Sequence, residues 1–505
     1  MGVARGDRDP GILELVTTTA PASTKLEPEV FRAAVVIVLG SIMAILDTTI
    51  VAVALESLAK DFHVSVSTIQ WVTTGYLLAL AVVIPVTGWA VHRIGAKPLY
   101  VSALVIFIAG SILCGLAWSA TSLIVFRVVQ GIGGGMLMPV GQTIMARTAG
   151  PARMGQVMGV IGMPTLLGPI LGPVIGGAII TNTSWRWIFF VNIPIGVAAL
   201  VAAIFFLKGS ERDRDHRFDL IGFLCLSPGL ALLVYGLSEV GNQPQGFASS
   251  KVQWCLVIGI VLTIAFVFRS FRAPEPLMEM RLFRNRTFTV SSICIFLSGA
   301  TLYGTMFLLP LYYEVVRGRS AWMAGLLMAP QGIGAAMVMR WAGTLADRRG
   351  ARTVVPIGMA LLALGTLAYT QVSGTTSYAL LAVALFVRGI GLGLAMMPVF
   401  AASYRDLSHA EIPRASTATN ILRQVGGSLG VAVFAVVLQT QITKRLPGSG
   451  GIFGASAGAM SPHIVNELAA AFATSFWWSF GTCVIAIAPA LLLPGPVKRG
   501  LSAPV

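Results

Sequence analysis

The feature that most constrains this chain is a series of long apolar stretches that follow one another from residue 32 to residue 494. Of its 505 residues, 56% are apolar and only 11% are charged, which is about half the charged share of an average soluble domain. One membrane-spanning helix takes about 20 apolar residues, so the apolar content suffices for about fourteen such helices. A membrane β-barrel would instead alternate apolar and polar residues in segments of about ten. The sequence therefore predicts an all-α polytopic membrane protein.

The apolar windows place fourteen candidate spans along the chain. They cover residues 32–55, 70–91, 99–118, 121–143, 156–180, 187–207, 219–239, 252–270, 288–312, 322–342, 353–371, 378–400, 416–439 and 471–494. An even number of spans predicts that both termini lie on the same side of the membrane. No small-residue cleavage site closes the first stretch, which begins near Ala33, so we expect it to be retained as the first span.

The basic residues indicate which side that is. The net charge is +15, and 24 of the 35 Lys and Arg residues fall in tails and loops on the side of the termini, against 7 on the other side. Cytoplasmic loops are the ones enriched in Lys and Arg, so both termini are predicted to be cytoplasmic. The excess of Arg over Lys and the abundance of Ala and Gly favour a GC-rich bacterium, and hence a multi-pass protein of a bacterial plasma (inner) membrane. No block of about five or six like charges is present, so no nucleic-acid partner is predicted.

A short motif occurs twice, 255 residues apart, between spans 2 and 3 and between spans 10 and 11. Its pattern is Gly, three residues, His or Asp, Arg, one residue, Gly, one residue, and Lys or Arg. The glycines permit close turns between antiparallel helices. The cations can hold each loop on the cytoplasmic side and pair with acids or helix C-termini, with simple orientation by charge as the alternative. The motif residues are Gly88, His92, Arg93 and Gly95 in the first copy and Asp347, Arg348 and Gly350 in the second.

A second repeat supports the same duplication. Arg127 precedes Gly131-Ile-Gly133 in span 4, and Arg388 precedes Gly389-Ile-Gly391 in span 12. Many secondary transporters consist of duplicated halves, with the substrate site between them near mid-membrane. The prediction is two six-helix halves plus two inserted central helices. The predicted segments are 1–31 (cytoplasmic N-terminal tail), 32–207 (N-terminal six-helix half), 208–287 (cytoplasmic linkers with two inserted spans), 288–494 (C-terminal six-helix half) and 495–505 (cytoplasmic C-terminal tail).

Charged side chains within the spans are candidate functional groups, because a charge at the centre of a membrane helix costs about 2.5–3.5 kcal/mol. Asp47 is the one acidic residue deep in a span. Burial favours the uncharged form of a carboxyl group, so Asp47 is predicted to take up and release protons, with a structural polar contact as the alternative. Arg127, Arg388 and Arg423 are the corresponding cations. Whether Arg127 pairs with an acid or with backbone carbonyls remains open from the sequence.

Span 5 is rich in glycine and proline. Glycines at steps of four let a neighbouring helix approach closely, and prolines remove backbone hydrogen bonds and permit kinks. The pattern favours a pliable helix at a moving interface, with a static packing seam as the alternative. The residues concerned are Gly159, Gly168, Gly172, Pro173, Gly176 and Gly177.

Polar, aromatic and cationic residues in other spans are candidates for the lining of a substrate cavity, although helix packing is the simpler role for any one of them. They are Trp71, Tyr76, Gln130, Tyr303, Phe307, Arg388, Asn420 and Arg423. The glycine run at 131–135 has neither a Walker pattern nor the full dinucleotide spacing, and the five cysteines lie in apolar stretches. We therefore predict no metal and no cofactor, with a proton gradient as the driving force.

Several motifs resemble the major facilitator superfamily, and within it the fourteen-span drug:proton antiporters, over nearly the whole chain. Leu46-Asp47-Thr48-Thr49-Ile50-Val51 is similar to the first-span motif of that family, and Leu123, Arg127, Gln130, Gly131 and Gly133 are similar to its proton-transfer motif. The glycines of span 5 with Pro173 fit its antiporter motif. The resemblance implies that Asp47 and Arg127 act in proton coupling, that span 5 serves antiport and that the exported compound is lipophilic and often cationic. It also implies that the two repeated loops, at residues 88–95 and 347–350, act as cytoplasmic gates.

Three positions depart from that family pattern. His92 stands where the gate loop usually has Asp, Ala52 replaces an Asn, and Glu56 replaces a Pro. The first departure concerns the gate of the first half, and the other two concern substrate range.

The predicted function is proton-coupled export of lipophilic drugs or toxic metabolites across the plasma membrane by alternating access. Its partners would be a small-molecule substrate, protons and the lipid bilayer, and a monomer would be the working unit. A proton-coupled or facilitative importer of a specific solute is the alternative, because one fold supports both directions. A non-transporting sensor would carry additional soluble domains. An enzyme is least favoured, because no cluster of His, Cys and carboxylate residues forms in the sequence.

Overall fold

The computed structural model describes residues 27–64, 66–149, 154–209, 217–240, 245–408, 410–446 and 461–496. These residues are almost wholly helical and contain no β-strand. Within these residues, fourteen long helices alternate in direction, and most of the loops between them are short. The prediction of an all-α fold is therefore confirmed.

The fourteen helices are numbered in chain order. They are α1 (Pro28–Asp61), α2 (Trp71–Ile94), α3 (Ala96–Gly115), α4 (Ala120–Ala149), α5 (Met154–Asn182), α6 (Trp187–Phe206), α7 (Leu220–Val240), α8 (Ser250–Arg272), α9 (Arg286–Val316), α10 (Ala321–Arg349), α11 (Ala351–Gln371), α12 (Tyr378–Tyr404), α13 (Ile412–Arg445) and α14 (Pro462–Ala490). Thirteen of the described helices are long and apolar enough to cross a membrane. The other, α5, has 29 residues without a single Asp, Glu, Lys or Arg.

Several helices extend beyond the apolar windows. Helix α14 begins at Pro462, whereas its window begins at residue 471. Ser461 accepts a hydrogen bond from the backbone N–H of Ile464 at 3.4 Å, and Pro462 occupies the first turn. Both features favour the start of a helix. A window chosen for hydropathy misses such a turn, because the residues that start a helix are often polar.

The two copies of the repeated loop motif make the same turn. Gly95 between α2 and α3 has φ 96° and ψ 149°, and Gly350 between α10 and α11 has φ 84° and ψ 150°. A side chain is strongly disfavoured at such positive φ values, so glycine is needed at both positions. In each copy the next helix begins at the following residue, which keeps the two antiparallel helices close together.

Helices α1–α6 (the first half) pack against one another, and so do α9–α14 (the second half). The halves meet mainly where α5 packs on α10 and α12, and where α13 packs on α2 and α4. Helix α7 contacts α2 and α13, and α8 packs mainly on α7. Only 17% of the apolar window of α8 is buried, and its exposed side chains include Trp254, Val261 and Phe268. Such an apolar outer surface suits contact with lipid.

The loop face on which α1 begins and α14 ends is called the N-side face, and the opposite face is called the far face. Lys208 and Glu29 form an ion pair of 2.6 Å on the N-side face. The backbone N–H of Arg352 donates to the carbonyl of Pro494 at 3.2 Å on the same face, so the segment after α14 lies against the loop between α10 and α11.

Candidate functional site

Asp47 lies in α1 and has no exposed surface. Its Oδ2 accepts a hydrogen bond from Arg127 Nη1 of α4 at 2.5 Å. Its Oδ1 accepts from Gln130 Nε2 of α4 and from Asn192 Nδ2 of α6, both at 2.9 Å. Three donors from two other helices therefore hold a single carboxylate, and the pairing of Asp47 with Arg127 that the sequence left open is present.

Arg127 is as fully buried as its partner. Its Nη1 also donates to Gln130 Oε1 at 2.7 Å, and its Nε donates to the carbonyl of Val72 in α2 at 3.2 Å. The guanidinium carbon lies 4.2 Å from the centre of the Tyr76 ring, a distance at which a cation is attracted to the ring face. Arg127 Nη2 has no hydrogen-bond partner within the described part of the chain. Asp47 thus balances the charge of Arg127, and neutral groups accept its other hydrogen bonds.

The cluster extends to a hydroxyl group of α3. Ser111 Oγ accepts a hydrogen bond from Gln130 Nε2 at 2.7 Å and lies 3.5 Å from Asn192 Nδ2. Gln130 therefore donates from one nitrogen to both Asp47 and Ser111, and its oxygen accepts from Arg127. A change in the charge of Asp47 would alter contacts in α1, α3, α4 and α6 together.

The glycines of α4 explain how the helices come close enough for this network. A Cβ atom at Gly131 would lie 2.7 Å from the carbonyl oxygen of Tyr76, and one at Gly133 would lie 2.7 Å from the carbonyl oxygen of Ala103. A Cβ atom at Gly110 of α3 would lie 2.7 Å from Cα of Gln130. The glycine run of span 4 is thus a packing seam between helices, in agreement with the absence of a nucleotide pattern.

The glycines of α5 form the face that packs on α1, next to Asp47. Cβ atoms at Gly168 and Gly172 would overlap Ile45 and Thr49, and one at Gly176 would lie 3.3 Å from Ile50. Thr49 Oγ1 also donates to the carbonyl of Gly168 at 3.1 Å. The helix that carries Asp47 therefore has direct backbone contact with the predicted antiporter helix.

Other predicted residues of α5 are less completely placed. Gly177 faces Trp322 of α10 across the boundary between the halves. Gly159 and Pro173 belong to α5, but their immediate surroundings lie outside the described residues, as do the side chains of Ala52 and Glu56.

Arg388 occupies the position in the second half that the repeat matches to Arg127. Its side chain is buried, its Nη1 donates to Gln331 Oε1 at 2.5 Å, and its Nε donates to Thr366 Oγ1 at 3.2 Å. No carboxylate oxygen of a described residue lies within 4.0 Å of it. The repeated sequence pattern therefore places an arginine in both halves, but only the first half supplies an acidic partner among the described residues.

A second polar cluster lies between α9 and α13. Arg423 Nη1 donates to the hydroxyl of Tyr303 at 2.5 Å, and Arg423 Nη2 lies 3.4 Å from Asn420 Oδ1. Both Arg423 and Tyr303 are partly exposed, in contrast to Arg388. Arg423 thus contacts two other predicted cavity residues, Tyr303 and Asn420.

Gln142 of α4 joins the halves near the N-side face. Its Oε1 accepts hydrogen bonds from Asn420 Nδ2 at 2.7 Å, from Ser416 Oγ at 3.2 Å and from the Tyr404 hydroxyl at 3.3 Å. Ser416 Oγ also lies 2.9 Å from the carbonyl of Pro139. All of these side chains are buried, so this contact, here called the Gln142 latch, closes the N-side face between α4 and α12–α13.

The predicted gate loops lie on the same face. Gly88 lets α2 approach α13, where a Cβ atom would lie 3.2 Å from Thr417 Oγ1, and Thr87 Oγ1 lies 3.0 Å from that oxygen. The gate residues near the helix ends are His92 and Arg93 in the last turn of α2 and Asp347 and Arg348 at the end of α10. The second loop is covered by the segment after α14, which comes close to Gly350.

Two predicted cavity residues take part in aromatic or apolar packing. Trp71 is 42% exposed and stacks on Tyr235 of α7, with ring centres 5.6 Å apart. Phe307 packs against the apolar core of the second half.

The sequence interpretation missed Gln142, Asn192 and Ser111 as functional contacts. Uncharged polar residues are common in membrane helices, and most of their hydrogen bonds serve helix packing. An amide side chain within an apolar span, as at Gln142, is the signal that would have singled two of them out.

Comparison with known proteins agrees with this architecture. The profile of the Major Facilitator Superfamily matches residues 37–431. The chain is 38% identical to the Multidrug resistance protein B homolog of Mycobacterium tuberculosis (strain ATCC 25618 / H37Rv) over 493 residues, which cover 93% of this chain and 91% of that protein. It is 31% identical to Multidrug resistance protein 3 of Bacillus subtilis (strain 168), with 85% and 82% of the two chains covered.

Solved structures show the same fold at low identity. A double-tryptophan variant of XylE superposes with a TM-score of 0.63 at 14% identity and covers 93% of this chain and 97% of that one. The fold, the family profile and the multidrug resistance relatives agree with one another and with the resemblance drawn from the motifs. The chain belongs to the Major Facilitator Superfamily.

Proposed function

We propose that this protein exports lipophilic compounds in exchange for protons. The observation that carries the proposal is Asp47, a fully buried carboxylate in α1 that is held by Arg127 and packed beside the glycine face of α5. A carboxylate in such surroundings changes its interactions strongly when it gains a proton. No cofactor is needed in this scheme, since the proton gradient supplies the free energy.

The coupling step follows from the hydrogen bonds of Asp47. When a proton binds to the carboxylate, Arg127 loses its negative partner, and the bonds from Gln130 and Asn192 lose their charge-assisted strength. The hydrogen bonds that connect α1 to α4 and α6 then weaken. Because α1 packs on α5, and α5 packs on α10 of the second half, this change reaches the boundary between the halves.

Alternating access then requires the N-side face to open and close. The Gln142 latch holds that face closed, and its release would expose the space between the halves. With both termini in the cytoplasm, as the loop charges favour, the latch is the cytoplasmic gate. We further propose that a single chain carries out transport within the lipid bilayer, because both halves belong to the same polypeptide.

Efflux from proteoliposomes with an imposed pH gradient tests the proposal. A panel of cationic, neutral and anionic lipophilic compounds should be used, because the antiporter resemblance gives often cationic substrates as a starting point. Asp47→Asn should abolish uphill transport that depends on the gradient but retain downhill movement of the compound, and Asp47→Glu should keep part of the coupled activity.

Asp219→Asn is the matched control. Asp219 is also a buried carboxylate, and it pairs with Arg269 at 3.4 Å, but it lies just before α7, away from α1. Coupled transport should survive this change. Full gradient-driven transport by Asp47→Asn would remove Asp47 from the mechanism, and gradient-driven accumulation in the import direction would favour the importer alternative.

A further inference from the structure

Arg423 is a cation that the described residues hold with neutral groups only. Its guanidinium group donates to the hydroxyl of Tyr303 at 2.5 Å and lies 3.4 Å from Asn420 Oδ1. The guanidinium carbon is 5.9 Å from the centre of the Tyr303 ring. No carboxylate oxygen of a described residue lies within 4.0 Å of its nitrogen atoms.

Arg423 lies where a transporter with duplicated halves is expected to bind its substrate. Tyr303 lies in the middle of α9, and Arg423 lies one helical turn from Asn420, which contacts Gln142 of the first half. Transporters with duplicated halves bind substrates between the halves near mid-membrane. Arg423 is partly exposed there, whereas Arg127 and Arg388 are fully buried in helix packing.

The chemistry of Arg423 selects for negative charge. A guanidinium group has five N–H donors, and the contacts with Tyr303 and Asn420 use two of them. The planar fork that remains matches a carboxylate, sulfonate or phosphate group, which accepts two parallel hydrogen bonds. Tyr303 limits the rotation of the guanidinium group, so the fork is held in place before a ligand arrives.

The other charges near mid-membrane also favour an anionic compound over a cationic one. In the first half, the charges of Asp47 and Arg127 cancel within one ion pair. In the second half, Arg388 adds a positive charge without an acidic partner among the described residues. Glu314 lies in the last turns of α9, about 16 Å along the helix from Tyr303 at 1.5 Å per residue. A cationic compound next to Arg423 would therefore be repelled, and an anionic one attracted.

We propose that the transported compounds are lipophilic anions whose acidic group pairs with Arg423. The proposal rests on the exporter function proposed above and names its substrate class. The same contact reaches the Gln142 latch, because Asn420 touches both Arg423 and Gln142. An anion that draws Arg423 away from Asn420 would change the latch directly.

Two dyes with one scaffold provide the test. Fluorescein is an anion and rhodamine 6G is a cation, and both contain a xanthene ring system. Fluorescence anisotropy with the purified protein in lipid nanodiscs, at constant pH and against empty nanodiscs, measures the affinity for each. Wild-type protein should bind fluorescein at least about tenfold more tightly than rhodamine 6G. Arg423→Gln should lower the fluorescein affinity about 10- to 100-fold, the usual effect of losing a hydrogen bond to a charged group, without weakening rhodamine 6G.

Arg423→Lys and Arg319→Gln are the controls. The lysine variant keeps the charge and should retain part of the preference for fluorescein. Arg319 also donates to a tyrosine hydroxyl, that of Tyr378 at 2.9 Å, but it lies on the far face, so its loss should leave both affinities unchanged. The proposal is overturned if wild-type protein prefers rhodamine 6G, if it binds no fluorescein, or if a normally folded Arg423→Gln protein loses both dyes equally.

Transport in the same lipids separates this proposal from the exporter proposal. If a pH gradient drives rhodamine 6G but not fluorescein, the export function stands and the anion class is wrong. If fluorescein binds with the expected dependence on Arg423 but a pH gradient drives neither dye, the anion site stands and proton coupling is wrong.

Discussion

Loss of one partner from the ion pair between Asp47 and Arg127 should destabilise the protein more than loss of one partner from any described surface pair. Both side chains have no exposed surface, and their closest atoms are 2.5 Å apart. Removing one partner of a buried pair typically costs about 3–5 kcal/mol, because the other charge stays buried without compensation. Arg127→Gln and Asp47→Asn should each lower the free energy of unfolding by about that amount. The double variant should cost far less than the sum, because it leaves two neutral amides that hydrogen-bond each other.

The assay is a double-mutant cycle on the free energy of unfolding, measured by denaturant titration in mixed micelles at one fixed pH. The expected coupling energy is about 3 kcal/mol or more. The pair of Asp219 and Arg269 is the control, because its atoms are 3.4 Å apart and the arginine side chain is 34% exposed. A partly exposed pair of this kind contributes about 0–1 kcal/mol. A coupling energy below about 0.5 kcal/mol for Asp47 and Arg127 would refute the reasoning, because the effects of mutations at residues that do not interact already deviate from additivity by up to about that amount.

Three further predictions concern the Gln142 latch, the packing of α1 on α5 and the charge moved in one transport cycle. Gln142→Leu removes three hydrogen bonds of the latch and should shift the equilibrium towards an open N-side face by about 2 kcal/mol, or roughly 30-fold. Distances between spin labels on the N-side loops measure the open fraction, and an unchanged distance distribution would contradict the prediction. Gly172→Ala places a methyl group against Thr49 and should lower the free energy of unfolding by about 1–3 kcal/mol and remove most of the transport rate. The added methyl group of Gly177→Ala would lie 3.4 Å from Trp322 and should be tolerated. Equal transport rates for the two variants would argue against tight packing between α1 and α5. Exchange of one singly charged anion leaving for one proton entering moves two positive charges inward, so an inside-negative potential of about 100 mV should favour efflux by about 4.6 kcal/mol. An efflux rate that does not change with a potassium-diffusion potential would exclude that stoichiometry.

Much of the fold was accessible from the sequence, because the membrane imposes strong requirements. Apolar windows located the fourteen helices, and the repeated loop motif located two identical turns at Gly95 and Gly350. Helix ends were less accurate where capping residues decide them, as at Ser461. Hydropathy indicates whether a segment lies in lipid or in water, but it does not indicate which residue caps the helix.

The site was only partly predictable. Asp47 and Arg127 stood out because a charge within a membrane helix is costly. Their joint contact with Gln130 and Asn192 depends on how far each helix is rotated about its axis, which the apolar pattern does not specify. Arg388 is a second example. Its sequence motif matches that of Arg127, but its hydrogen-bond partners are the neutral side chains of Gln331 and Thr366.

In the proposed mechanism, protons and substrate move in opposite directions in one cycle. The most direct test loads proteoliposomes with substrate and a pH indicator at equal pH inside and outside, and then dilutes them so that only the substrate gradient remains. We expect that substrate leaving the vesicles draws protons in, that the two fluxes keep a fixed ratio, and that Asp47→Asn releases substrate without acidifying the interior. Substrate release by the wild-type protein without proton entry would contradict it.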